Sequence, residues 1–330
     1  MRNKSVLFNI YFLSLALLMV SACILRSVAL LRDLDYVSGH FSNKLIIGIA
    51  DKLIIGATLF AISYVFFAKR DRALIFDFSS PLNYVFSGTL GAALLLYSGY
   101  ALSHGSKTRS YLLILTGILA ILSTVHFFLA SITTVISSER RADFGIITVI
   151  FLALYSAFLY FDSTLPINSP TKIVDEMTYV AAALFFLYET RISIGREKWP
   201  RYTTFGFITM LLSAYSAIPA LISYIISGNV TANNIFETIL TFAVFLFTTA
   251  RLTLTASLQE KKECPAVSFI KAAAIKRCIE LAPKSEEPEV IEATEKDEEA
   301  DEHPEDYYEL NFDEETANAA SDETETETEA

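Results

Sequence analysis

Eight apolar runs occupy most of the first 252 residues, and short polar segments separate them. The runs are continuous instead of alternating between apolar and polar positions, which favours helices over barrel strands. A bilayer core of about 30 Å needs about 20 mostly apolar residues in a helix, and each run is close to that length. The predicted membrane spans lie near residues 5–25, 49–68, 82–103, 111–135, 144–161, 173–192, 202–227 and 235–252.

Two parts of this apolar region resemble each other at an offset of about 90 residues. Ser-Pro at 80–81 precedes "AALLLY", and Ser-Pro at 169–170 precedes "AALFFLY". Each copy would contain three spans, so the second copy would cross the membrane in the opposite direction. The pattern predicts an inverted repeat of residues 49–135 and 144–227, an arrangement common in secondary transporters.

Composition divides the chain into a membrane part and a charged C-terminal part. The whole chain is 53% hydrophobic, with a mean hydropathy of +0.43 and a net charge of −11. Residues 285–330 hold 21 acidic residues and one lysine. Such a segment cannot bury enough apolar surface to offset the entropy cost of folding. We therefore predict an all-α, polytopic transmembrane helix bundle over 1–252, a basic juxtamembrane segment over 253–283, and a disordered acidic cytoplasmic tail over 284–330.

The distribution of lysine and arginine between the loops predicts the orientation in the membrane. If the N-terminus is cytoplasmic, the cytoplasmic segments hold fourteen basic residues and the opposite segments hold six. Cytoplasmic loops carry the excess of basic residues in membrane proteins, so both termini are predicted to be cytoplasmic in the cell membrane. The six residues on the opposite side are Arg26, Arg32, Lys44, Lys107, Arg109 and Lys172.

Four ionisable residues inside the predicted spans are the candidate binding residues. A charged side chain in a bilayer usually has a partner or faces a water-filled path. Glu189 and Arg251 fall at similar depth in the sixth and eighth spans, so we predict an ion pair between them. Glu237 lies at the opposite end of the eighth span, and His126 lies deep in the fourth. For His126, a packing role is the alternative to a proton relay.

The chain contains few of the residue patterns that carry enzyme chemistry. Its three cysteines form no CxxC pair, its four histidines are scattered, and it has no HExxH, GxSxG or phosphate-binding glycine loop. We predict no catalytic residue, no metal site, no cofactor and no nucleic-acid partner. Cys23 also ends a "VSAC" box that resembles a bacterial lipoprotein cleavage site, although the apolar residues after it argue against cleavage.

Two functions are favoured at this point, and a third, a membrane enzyme, lacks a nucleophile–base pair or a metal cluster in the sequence. The inverted repeat and the intramembrane charges favour a solute or ion transporter. The alternative is a membrane sensor or scaffold whose acidic tail docks a cytoplasmic protein through residues 305–315, where aromatic residues interrupt the acidic run. The lipid bilayer is a predicted partner in both cases.

Overall fold

The computed structural model describes residues 2–35, 40–68, 81–132, 138–162, 166, 168–193, 199–228 and 235–257. All of them belong to one compact unit, Met1–Leu281. Over these residues the chain is helical apart from short connections, and an isolated bridge between Leu34 and Phe41 is the one β contact. The predicted juxtamembrane helix and acidic tail lie outside the described residues.

The described residues form eight helices, and the predicted all-α fold class is confirmed. Seven of them are long and apolar enough to cross a membrane. The helices are α1 Arg2–Asp33, α2 Lys44–Phe67, α3 Pro81–Thr108, α4 Tyr111–Ile132, α5 Ser138–Phe161, α6 Pro170–Ser193, α7 Trp199–Ser227 and α8 Ile235–Ser257.

Helix α6 is the one described helix outside these seven, and it carries five charged residues, Lys172, Asp175, Glu176, Glu189 and Arg191. Its exposed face is nevertheless apolar: Ile173, Met177, Val180 and Leu187 are exposed at helical spacing. The buried face holds Lys172, Asp175 and Thr190. An apolar outer face with a polar inner face suits a helix that crosses the membrane inside a bundle, so we interpret α6 as the eighth span.

Helices α3 to α8 close into a ring. Each packs against the next along the chain, and α8 returns to pack against α3. Helices α1 and α2 lie outside this ring, packed on each other and on α7. Two apolar cores follow from this arrangement. One lies within the ring, and the other fills the space between α1, α2 and α7.

The first predicted span ended too early. Helix α1 has 32 residues, which corresponds to about 48 Å, and it continues beyond residue 25 to Asp33. Arg26 was assigned to a loop because it is charged, but in the structure it is 3% exposed within α1. Apolar residues on both sides of Cys23, including Leu15 and Leu30, are also buried.

The packing of the helices gives no support to the predicted inverted repeat of 49–135 and 144–227. In the second copy, α5 packs along α6 and α6 along α7. In the first copy, α3 packs along α4, but α2 packs on α1 and α7 and not along α3. The repeat therefore remains a prediction from the sequence.

A polar interior within the ring of helices

An ion pair lies inside the ring near the C-terminal ends of α6 and α8. Arg251 Nη2 is 2.9 Å from Glu189 Oε1, and the two side chains are 4% and 13% exposed. The Arg251 guanidinium carbon is also 4.9 Å from the ring centroid of Phe247. The ion pair predicted from the sequence is present in the structure.

A second polar group, which we call the tyrosine cluster, lies toward the N-terminal ends of α6 and α8. It consists of the buried residues Tyr97, Thr116, Tyr155, Tyr179 and Thr241. The Tyr179 and Thr241 hydroxyl oxygens are 2.7 Å apart, and those of Tyr97 and Thr116 are 3.2 Å apart. The ring of Tyr155 packs edge-on against both Tyr97 and Tyr179, with centroid distances of 4.9 and 4.5 Å. Five hydroxyls from five helices are therefore gathered in one buried region.

Two carboxylates lie close to the tyrosine cluster. Glu237, in the first turn of α8, interacts electrostatically with all three tyrosines. Asp175 of α6 interacts in the same way with Tyr155 and Tyr179 and accepts a hydrogen bond from the Ser216 hydroxyl of α7. Acidic residues also stabilise helix N-termini, so a purely structural role is the alternative for Glu237.

A layer of three phenylalanines separates the tyrosine cluster from the ion pair. The ring centroids of Phe127, Phe186 and Phe247 are 5.4 to 5.6 Å apart. Along α6 the order is Tyr179, Phe186, Glu189, and along α8 it is Thr241, Phe247, Arg251. These matched contacts show that α6 and α8 run in parallel.

His126 does not share the position of the other candidate residues. It is half-buried, and its ring packs edge-on against Phe127 with a centroid distance of 5.0 Å. Phe127, the next residue, is the one that enters the ring interior. The structure thus brings Glu189 and Arg251 together, places Glu237 at the other end of the same interior, and leaves His126 beside it.

The three tyrosines were not among the residues predicted from the sequence, which were acidic and basic side chains. A tyrosine buried in a bilayer needs a partner for its hydroxyl, so Tyr97, Tyr155 and Tyr179 carried a usable signal. The pairing of Tyr97 with Thr116 and of Tyr179 with Thr241 depends on contacts between helices that no sequence pattern gives.

Chemically, this interior offers hydroxyl oxygens, carboxylates and aromatic faces. Oxygen ligands and aromatic faces both suit cations. Among the described residues, no group of three histidine, cysteine, aspartate or glutamate side chains is positioned to hold a metal ion.

Comparisons with protein-family models, curated proteins and solved structures find no match to this chain. The structure itself defines the class. Seven helices that can each cross a membrane make the chain a multi-pass integral membrane protein, and a lipid bilayer is its environment.

Proposed function

We propose that the protein transports a small cation or a cationic solute through the interior of the α3–α8 ring. The observation that carries this proposal is the position of Glu237 and Asp175 beside the buried tyrosine cluster. Asp175 is buried and Glu237 is half-buried. A carboxylate within a bilayer is costly, and it gives a site for a cation that also contacts hydroxyl oxygens and ring faces. Glu189 and Arg251 lie farther along the same interior.

The described conformation is closed along this path. The rings of Phe127, Phe186 and Phe247 pack against one another between the tyrosine cluster and the ion pair. Transport would require these rings and the Glu189–Arg251 pair to separate in a second conformation, as in alternating access. The ion pair would then act as the closure at the α6 C-terminal end, and its two charges would need other partners when it opens.

We further propose that the membrane is the cell membrane and that both termini are cytoplasmic. Two of the six basic residues assigned to the opposite side, Arg26 and Lys172, are buried among the helices. Buried residues are not free loop charges, so the basic excess on the N-terminal side is larger than the sequence count implied. Arg251, which was counted on the cytoplasmic side, is also buried, and removing it lowers the cytoplasmic excess of basic residues by one.

The closed phenylalanine layer also favours the alternative, a sensor or scaffold with a sealed bundle. In that case the ion pair and the tyrosine cluster would specify the packing of the helices and conduct nothing. The acidic segment 305–315 would be the docking site for a cytoplasmic protein. That segment lies outside the described residues, so this function rests on the sequence pattern.

Flux through reconstituted protein distinguishes the two functions. We expect proteoliposomes to pass protons, Na⁺, K⁺ or tetramethylammonium faster than protein-free liposomes under an imposed gradient. Glu237→Gln removes the carboxylate charge and should lower the rate at least about tenfold, because a cation on the path would lose about 1.4 kcal/mol or more of electrostatic stabilisation. Asp35→Asn, which changes an exposed carboxylate outside the ring, is the matched control and should leave the rate unchanged.

Absence of flux for all four cations in correctly folded protein would reject the transport proposal and favour the scaffold. An equal rate in the wild type and in Glu237→Gln would show that the cation follows another path.

A further inference from the structure

Arg26 is a buried cation that lies outside the ring interior. It is 3% exposed, and its guanidinium carbon is 4.3 Å from the centroid of the Tyr215 ring. The Tyr215 hydroxyl donates a hydrogen bond of 2.6 Å to Asp51 Oδ1. Helices α1, α2 and α7 therefore meet at a polar contact that includes one positive and one negative charge.

The guanidinium group of Arg26 has unused donors. Among the residues that the structure describes, its Nε and Nη1 atoms have no hydrogen-bond partner. Arginine cannot lose its charge inside a protein, and a buried donor without an acceptor is unfavourable. A charged side chain within a membrane normally has a partner. The Tyr215 ring lies beside the guanidinium group, and these two nitrogens are buried without an acceptor.

We propose that Arg26 anchors a binding site for a singly charged anionic group, a carboxylate or a phosphate ester, between α1, α2 and α7. Such a group carries several acceptor oxygens and matches the planar arrangement of guanidinium donors. The site is separate from the cation path, because its residues belong to the core formed by α1, α2 and α7.

Asp51 determines which anions this site accepts. Its carboxylate compensates the charge of Arg26 through the shared Tyr215 side chain and would repel a multiply charged ligand. A ligand with one negative charge, or with a negative group beside an ammonium, avoids that repulsion. Arg26 is seven residues before the end of α1 at Asp33, about 10 Å along the helix axis. At that depth the ligand could come from water or be the phosphate of a lipid headgroup.

Thermal unfolding of the purified full chain in an uncharged detergent tests the proposal. One arm adds sodium acetate or sodium dimethyl phosphate, whose anions each carry one negative charge, with sodium chloride at equal ionic strength as the reference. The other arm adds phosphatidylglycerol, with an uncharged glycolipid of the same chain length as the reference. We expect one arm to raise the Tm by about 3 °C or more at saturation, because a ligand that binds only the folded state stabilises it. The first arm identifies a free anion, and the second identifies a lipid phosphate.

Arg26→Gln should abolish the rise in Tm, and Arg32→Gln should retain it. Arg32 is the matched control because it lies on the same helix and its side chain is 72% exposed. Arg26→Lys keeps the charge but loses the planar donors, so its affinity should fall at least about tenfold.

An equal rise in the Arg26→Gln protein would overturn the proposal. If Arg26→Gln does not fold, the wild type and Arg26→Lys provide the test. The site is rejected if neither arm raises the Tm of the wild type. It is also rejected if Arg26→Lys binds the anion with unchanged affinity. Failure of cation transport would leave this result unaffected, since neither Arg26 nor Asp51 lies in the ring.

Discussion

At the scale of single residues, the buried charges of the bundle are compensated by specific neighbours. Lys172 is 4% exposed, and its Nζ donates to the carbonyl oxygens of Tyr160 and Asp162 at 3.0 and 2.6 Å. Those carbonyls lie at the C-terminal end of α5, where the helix leaves acceptors unpaired and a positive charge is favourable. Lys172 thus connects α6 to the end of α5, which explains a lysine at a buried position.

The Glu189–Arg251 pair allows a direct test by mutation. Arg251→Gln leaves a carboxylate buried without its ionic partner, so we expect a loss of about 3–5 kcal/mol in the free energy of unfolding. The Glu189→Gln, Arg251→Gln double variant should lose less than the sum of the two single variants, because it buries no unpaired charge. Unfolding in mixed micelles measures all four proteins.

Additive losses in this cycle would show that the two residues do not interact energetically despite their distance. The crossed swap, Glu189→Arg with Arg251→Glu, is a second check, since a genuine pair should recover part of the stability lost in each single swap.

At the scale of helices, α7 is the element that joins the two cores of the bundle. It packs on α1 and α2 on one side and on α6 and α8 on the other. Consecutive residues of α7 bind carboxylates from both sides: Tyr215 donates to Asp51 of α2, and Ser216 donates to Asp175 of α6. Pro219 follows within one turn and cannot donate to the Tyr215 carbonyl. Two hydrogen bonds to carboxylates therefore hold α7 in place next to the turn in which Pro219 removes a backbone hydrogen bond.

The closeness of α5 and α6 depends on a glycine. A Cβ atom at Gly145 would lie 2.5 Å from Thr190 Oγ1, and Thr190 is held by its hydrogen bond to the Phe186 carbonyl. We expect Gly145→Ala to lower the free energy of unfolding by about 1–3 kcal/mol, because α5 must move away from α6. Gly99→Ala in α3 is the matched control, since nothing lies within 4 Å of its added Cβ. It should be neutral or slightly stabilising.

Unfolding of both glycine variants under the same conditions measures the difference. Equal stabilities would show that α5 and α6 tolerate a wider separation than the structure has.

At the scale of the whole molecule, the proposed orientation in the membrane rests on the positions of the basic residues. We expect a membrane-impermeant amine reagent, applied to intact cells, to modify Lys44 and Lys107 and to spare Lys198. Mass spectrometry of the purified chain gives the extent of modification at each lysine, and permeabilised cells serve as the control. Modification of Lys198 together with protection of Lys44 and Lys107 would reverse the proposed orientation.

Much of the architecture was predictable because a bilayer imposes strict rules on composition and length. Seven of the eight predicted spans begin within about five residues of the observed helices, and α2 begins at Lys44 after Asn43, whose side chain accepts from the Leu45 backbone amide. The same rules assign Arg26 to a loop, because they treat a charge as the end of a span. They do not account for a buried charge that packs on a tyrosine, as Arg26 does on Tyr215.

The candidate site was predictable only in part. Helical spacing placed Glu189 and Arg251 at similar depth on inward faces of α6 and α8, and that was enough to predict their pairing. Spacing gave no information on His126, which has the right depth but lies beside the interior, or on the three tyrosines, which come from three different helices.

The sequence by itself determined that the chain is a helical membrane protein, because apolar length and backbone hydrogen bonding leave a segment in lipid few alternatives. The tertiary structure alone decided which helices are neighbours. Lipid-exposed and buried apolar residues have similar composition, so the sequence does not record that α8 closes the ring against α3 or that α1 and α2 lie outside it. Contacts between helices, such as Tyr179 with Thr241 and Arg26 with Tyr215, depend on that arrangement.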